Sequence, residues 1–235
     1  MARKKIVVVI VEGPSDEEAL GVILNRLYSD NAVYVHIMYR DITTDRDVTV
    51  YNILSKLGIE IQQYAKSNHY VKNDFKQIIH IIDMDGAYIP NDKIIENQNV
   101  NKPIYSASGI LAADKRKIEL RNQQKSSIIN KLYSCKEIWK TPYEAFYMSC
   151  NLDHVLYNKL NSNDDEKEAD AYKFAKQYKD QVHEFIKFIS GSCFSVMTGY
   201  IESWEFIMQD LHSLERYSNF GLCFNEVKII TNNNE

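Results

Sequence analysis

Two short stretches constrain this chain more than any other. The first, Lys5 to Leu20, reads KIVVVIVEGPSDEEAL: an apolar run, a tight Glu12-Gly13-Pro14 turn, and a segment of helical periodicity that opens at once. The second, Gln77 to Pro90, carries the run IIHII directly into Asp83 and Asp85. Unbroken Val/Ile runs of this length suit strands buried on both faces, as strands of parallel sheets are. Between them, Tyr34 to Tyr39 reads as another strand, and Val50, Leu54, Leu57, Ile61 and Tyr64 recur at the spacing of an amphipathic helix. A β-α-β-α-β order with helix-length crossovers calls for a parallel sheet covered by helices. Ser15 and Glu18 have the spacing of a capping box, and Ala19, Leu20, Ile23, Leu24 and Leu27 form the apolar face behind it.

Beyond Pro90 the pattern weakens. Residues 91–108 are polar and read as loop, Leu111 to Tyr133 as a helix, and Tyr143 to Cys150 as a fourth strand. Later apolar positions mark one helix through Ala175, Tyr178, Val182, Phe185 and Ile189, and another from Val196 to Leu214; the NNNE terminus reads as frayed. The expected organisation is an α/β domain over residues 1–150, with a basic helical insertion near 110–140, and a helical subdomain over residues 151–235.

Composition narrows the partners. A formal net charge of -4 excludes a protein that coats nucleic acid by bulk charge, so any such contact is local. Asp114 to Lys140 holds eight Lys or Arg against three Asp or Glu, which makes Lys115, Arg116, Lys117, Arg121 and Lys125 the candidate nucleic-acid-binding residues. A solvated helix face is the commoner role of such a stretch. The four cysteines lack metal-like spacing and suit reduced thiols in the cytoplasm; no run is long and apolar enough to span a bilayer.

In an open parallel sheet, ligands bind outside the carboxyl ends of the strands. Glu12, Asp83 and Asp85 are therefore expected to meet in one crevice. Carboxylates that close raise each other's pKa values unless a cation joins them. Oxygen-only ligands suit Mg²⁺ or Mn²⁺, and such an ion supports chemistry at phosphate. Glu12 could instead simply accept hydrogen bonds at the helix start, and the two aspartates could be ordinary loop carboxylates. Asp153 and His154, after the fourth strand, either add to a second metal site or open a helix.

The combination VEGPSDEEAL and IIDMDG resembles the TOPRIM domain, the Rossmann-like metal-binding fold of topoisomerases, bacterial primases and OLD-family nucleases. The resemblance covers roughly Lys5 to Pro90. It implies that Glu12 acts as general acid or base and metal ligand, that Asp83 and Asp85 hold Mg²⁺, and that Asp16 is the further acidic position of nuclease-type members. Gly86 follows Asp85 directly, whereas topoisomerases and primases place that glycine a few residues later. The resemblance therefore favours small nucleases of the OLD or phage-defence kind, acting on DNA or RNA. No GxxxxGK is present, so any ATPase would be a separate partner. Two other classes stay open. IIHIIDMDG also resembles the first motif of HAD-type phosphatases, with Asp83 as nucleophile and Asp85 as proton donor, which leaves Glu12 unexplained. A TOPRIM-like module without catalysis, binding a partner through its helical half, is the third.

Overall fold

The computed structural model describes residues 5–29, 33–39 and 42–225. Strand β1 (Lys5–Val11) is buried from Ile6 onward, as its Val/Ile run requires. It turns into α1 (Pro14–Ser29), with proline at the first helical position, where a missing N–H costs nothing. The Ser15–Glu18 box does not start this helix. Asp16 does: its Oδ2 accepts from Gly13 N–H at 2.9 Å, while Gly13 C=O takes the first helical bond from Glu17. Proline moves the start upstream and leaves Ser15 inside the helix. The expected face, from Ala19 to Leu27, is buried.

Strand β2 (Val33–Tyr39) pairs with β1 in parallel. Helix α2 (Ile53–Ser67) buries Ile53, Leu57, Ile61 and Ala65. Strand β3 (Phe75–Asp83) then pairs in parallel with the other side of β1, from Ile6↔Phe75 to Ile10↔His80.

The polar stretch after Pro90 departs from expectation. Instead of loop, β4 (Ile94–Glu96), β5 (Ile104–Ser106) and β6 (Gly109–Ala112) form a second sheet in the order β4-β6-β5. Strands of three or four residues are too short to show alternation, which is why the pattern is silent there. Ile94, Ile110 and Ala112 pack with Ile89, Ile118, Cys150 and Leu214. Helix α3 (Lys115–Tyr133) begins later than Leu111, which belongs to β6; Asp114 Oδ1 accepts from Lys117 N–H at its start.

Strands β7 (Glu137–Ile138) and β8 (Thr141–Met148) form an antiparallel hairpin. The larger sheet has the order β2-β1-β3-β8-β7, so the expected four strands are present and β7 is added at one edge. The fold class is α/β with a mainly parallel mixed sheet flanked by helices.

The remaining helices are α4 (Leu152–Tyr157), α5 (Asp164–Tyr178), α6 (Val182–Gly191) and α7 (Tyr200–Ile207). The single helix expected through Ala175 and Ile189 is two, broken at the polar Lys179-Asp180-Gln181. The helix expected from Val196 to Leu214 shrinks to α7, because Val196 N–H instead donates to Ser218 C=O. The NNNE terminus lies outside the described residues.

The chain divides into two compact units, one of residues 1–81, 123–145 and 165–180, the other of residues 82–122, 146–164 and 181–235. This division cuts across the boundary expected at residue 150. The reason is that β3, α3 and β8 each pass from one unit into the other.

Candidate active site

In the first unit, Glu12 follows the last residue of β1 and is only 14% exposed. Its Oε1 lies 3.4 Å from the Nζ of Lys125, whose side chain is fully buried. Asp16, also buried, accepts from Gly13 N–H at the start of α1. In α3, Ile118, Asn122, Lys125, Ile129 and Leu132 are all buried, at spacings of four, three, four and three residues. Lys125 thus occupies an inward helix position. A lysine on that stripe was the available signal for a buried acidic partner, and a count of basic residues hides it.

In the second unit, Asp83 ends β3 and its Oδ1 accepts from Leu152 N–H at 2.9 Å. Asp85 and Gly86 both have left-handed backbones, with φ of 48° and 68°, inside a turn closed by Ala87 N–H to Met84 C=O. Aspartate tolerates that conformation better than most residues, but it is held there only by surrounding structure. Asp85 N–H donates to Cys150 C=O at 2.7 Å, and Gly86 N–H to Ser213 C=O. From α3, Arg121 Nη2 donates to Asp85 C=O at 2.7 Å and Asn122 Nδ2 to Gly86 C=O at 3.0 Å. The turn is therefore fastened on both edges of its backbone.

Arg121 spends its fork within the protein. Besides Asp85, it donates to the Tyr105 hydroxyl and to Asn122 Oδ1. Burial opposes its charge, but Tyr105 and Asp85 outweigh burial and hold the guanidinium more firmly protonated than usual. The same burial, reinforced by the Asp85 charge, pushes the Tyr105 phenol up. Of the five expected nucleic-acid-binding residues, Arg116 and Lys117 are exposed and Lys115 half-exposed, while Arg121 and Lys125 are turned to internal partners.

No protein-family model, curated protein or solved structure matches this chain. The site rests on its own geometry.

Asp153 is buried in the first turn of α4, beside His154. Burial, and next the Arg216 charge, push the His154 imidazole down to about 4, so it is neutral at ordinary pH. Arg216 itself donates to Val155 C=O through Nε and Nη2, closing the end of α4. Asn151 Oδ1 accepts from His154 N–H, so this segment opens a helix, whatever else Asp153 does.

Carboxylate oxygens are the right donors for Mg²⁺ or Mn²⁺. Among the described residues, no group of three or more His, Cys, Asp or Glu side chains is gathered to hold a metal ion. Mg²⁺ commonly takes one or two protein carboxylates and completes its shell with water and substrate phosphate, so a closed protein cage is not what such a site requires. Cys135, Cys150, Cys193 and Cys223 form no disulfide, and no described helix is long and apolar enough to cross a membrane.

Proposed function

We propose that the protein is a Mg²⁺- or Mn²⁺-dependent phosphodiesterase that cleaves nucleic acid, a small TOPRIM-like nuclease of the OLD or phage-defence kind, with any ATPase supplied by a separate protein in the cytoplasm. The observation that carries this reading is that the E-G-x-x-D and D-x-D-G turns follow β1 and β3, which are parallel neighbours and end in the same direction. In an open parallel sheet, ligands bind outside the carboxyl ends of neighbouring strands. The fastened left-handed turn at Asp85 supports it further, because backbone held in a sparsely populated conformation clusters at functional sites.

Glu12, Asp83 and Asp85 would hold the ion, with Asp16 and Asp153 as the outlying acidic positions. When bound, the ion supplies positive charge at the scissile phosphate and acidity to a water. The chain's own residues do the rest. Glu12 takes or returns the proton at the attacking water or leaving oxygen. Lys125, buried against it, holds Glu12 in place. Arg121 and Asn122 fix the turn that presents Asp85, and Leu152 N–H orients the Asp83 carboxylate. Arg116 and Lys117, exposed at the start of α3, provide local attraction for a polyanion.

The test is incubation with single- and double-stranded DNA, structured RNA and a small phosphomonoester, with Mn²⁺ or EDTA. The proposal expects Mn²⁺-dependent cleavage of a polynucleotide that Glu12→Gln abolishes. Hydrolysis of the phosphomonoester alone, insensitive to Glu12→Gln, would replace it with the HAD-type phosphatase. Silence on every substrate would favour the binding module.

A further inference from the structure

We infer that the edge of the larger sheet at the N-terminal ends of β1 and β3, the end away from Glu12, is a platform for single-stranded nucleic acid. Aromatic rings meet there from four separate segments. His36 stacks on Tyr64 with centroids 3.7 Å apart and planes 7° from parallel. Tyr64 and Tyr70 each contact Phe75, the first residue of β3, and Phe75 meets Trp139 edge-on at 5.5 Å. Phe75 is buried, whereas Tyr64, Tyr70 and Trp139 remain partly exposed.

Lysines lie beside these rings in the sequence. Lys5, Lys66, Lys76 and Lys140 are exposed and Lys72 half-exposed, and Lys5 Nζ donates to Asn73 C=O, which brings the start of β1 against the loop before β3. The acidic residues on these segments are Asp74, buried and accepting from Val71 N–H, Glu60, half-buried on α2, Glu137, exposed on β7, and Glu144, exposed on β8 and accepting from Gln77 Nε2. In a chain of net charge -4 this is a local positive surface interleaved with aromatic rings, the pairing that single-strand binders use for phosphates and bases.

An independent observation points to the same place. The β7–β8 hairpin turns through Trp139 and Lys140, with φ of 50° and 54°. Two-residue turns with both centres left-handed favour Asn-Gly or Asp-Gly, because bulkier side chains strain there. Keeping a tryptophan and a lysine at the tip costs stability, and it puts a stacking surface and a cation at the exposed end of the sheet. Strain of this kind is expected where the side chains have work to do.

The class of ligand rests on the phosphodiesterase reading above, but binding in EDTA and cleavage in Mn²⁺ are separate measurements, and either can fail alone. Labelled oligodeoxythymidylate, oligouridylate and a duplex of equal length are titrated against the full chain in EDTA, following anisotropy and tryptophan emission. The chain has two tryptophans, and Trp204 is fully buried, so quenching by a stacked base reports Trp139. The expected result is salt-dependent binding of single strands with quenching, the two oligonucleotides showing whether DNA or RNA is preferred. Trp139→Leu, which keeps an apolar contact to Phe75, should remove the quenching and weaken binding about ten-fold. Lys76→Ala with Lys140→Gly, where glycine suits the turn, should weaken binding and flatten its salt dependence. No binding of single strands, binding without quenching, or equal binding by both variants would overturn the inference.

Discussion

Lys125 Nζ lies 3.4 Å from Glu12 Oε1, with the lysine side chain fully buried and the glutamate open to water on one side. The two halves of this pair are not equivalent. Glu12→Gln leaves an ammonium buried without that carboxylate, whereas Lys125→Met leaves a carboxylate that water can still reach. Breaking a buried pair from one side costs several kcal/mol. Glu12→Gln should therefore lower unfolding stability by about 3 kcal/mol, and Lys125→Met by less. Urea unfolding midpoints of the two variants measure the difference.

Gly86 tests the turn. A Cβ there would stand 2.8 Å from Leu214 Cδ2 and 3.1 Å from Ile110 Cδ1, at a φ of +68° that side chains resist. Gly86→Ala should cost about 2 kcal/mol, from strain and overpacking together. A midpoint within experimental error of the parent would show that the turn relaxes freely.

Arg121 tests the fastening from the other side. Arg121→Met removes the donor to Asp85 C=O and the Tyr105 hydroxyl while keeping most of the side-chain volume. Leaving such acceptors buried costs about 1–3 kcal/mol. Under the proposed function the variant should also lose turnover more than substrate affinity, because the turn presents Asp85. A rise in KM with kcat unchanged would assign Arg121 to substrate binding instead.

His154 sets an acid limit. Its folded pKa is lowered to about 4 from 6.5, first by burial and then by Arg216. Between those values the unfolded chain takes a proton that the folded protein refuses. Stability should therefore fall as pH drops from about 6.5 towards 4, with no further loss from this group below that. In His154→Gln the slope of unfolding free energy against pH over this window should be shallower.

The larger sheet was legible because β1 and β3 carry long Val/Ile runs that only a buried strand tolerates, and because α1 and α2 repeat apolar residues at helical spacing. The second sheet was not, since strands as short as Ile94–Glu96 leave no period to detect. The break between α5 and α6 was hidden because Tyr178, Val182 and Phe185 keep a helical spacing across it. For the proposed site, the sequence offered Glu12, Asp83 and Asp85 by their place after apolar runs, and the structure puts the first after β1 and the others at the end of β3 and in the turn that follows. It misdirected Arg121 and Lys125, because residue type alone does not say which face of α3 each occupies. Asp16 carried an acidic motif position and a helix start at once, and only the bond to Gly13 separates the second role from the first.

The central claim is that Glu12, Asp83 and Asp85 serve one divalent ion together with substrate phosphate. Mn²⁺ titration followed by electron paramagnetic resonance, with and without a non-cleavable phosphorothioate oligonucleotide, tests it most directly. The account predicts Mn²⁺ binding that the oligonucleotide strengthens, and that Glu12→Gln, Asp83→Asn and Asp85→Asn each weaken by about ten-fold or more. Mn²⁺ affinity equal in the parent and all three variants, or no binding even with the oligonucleotide present, would contradict it.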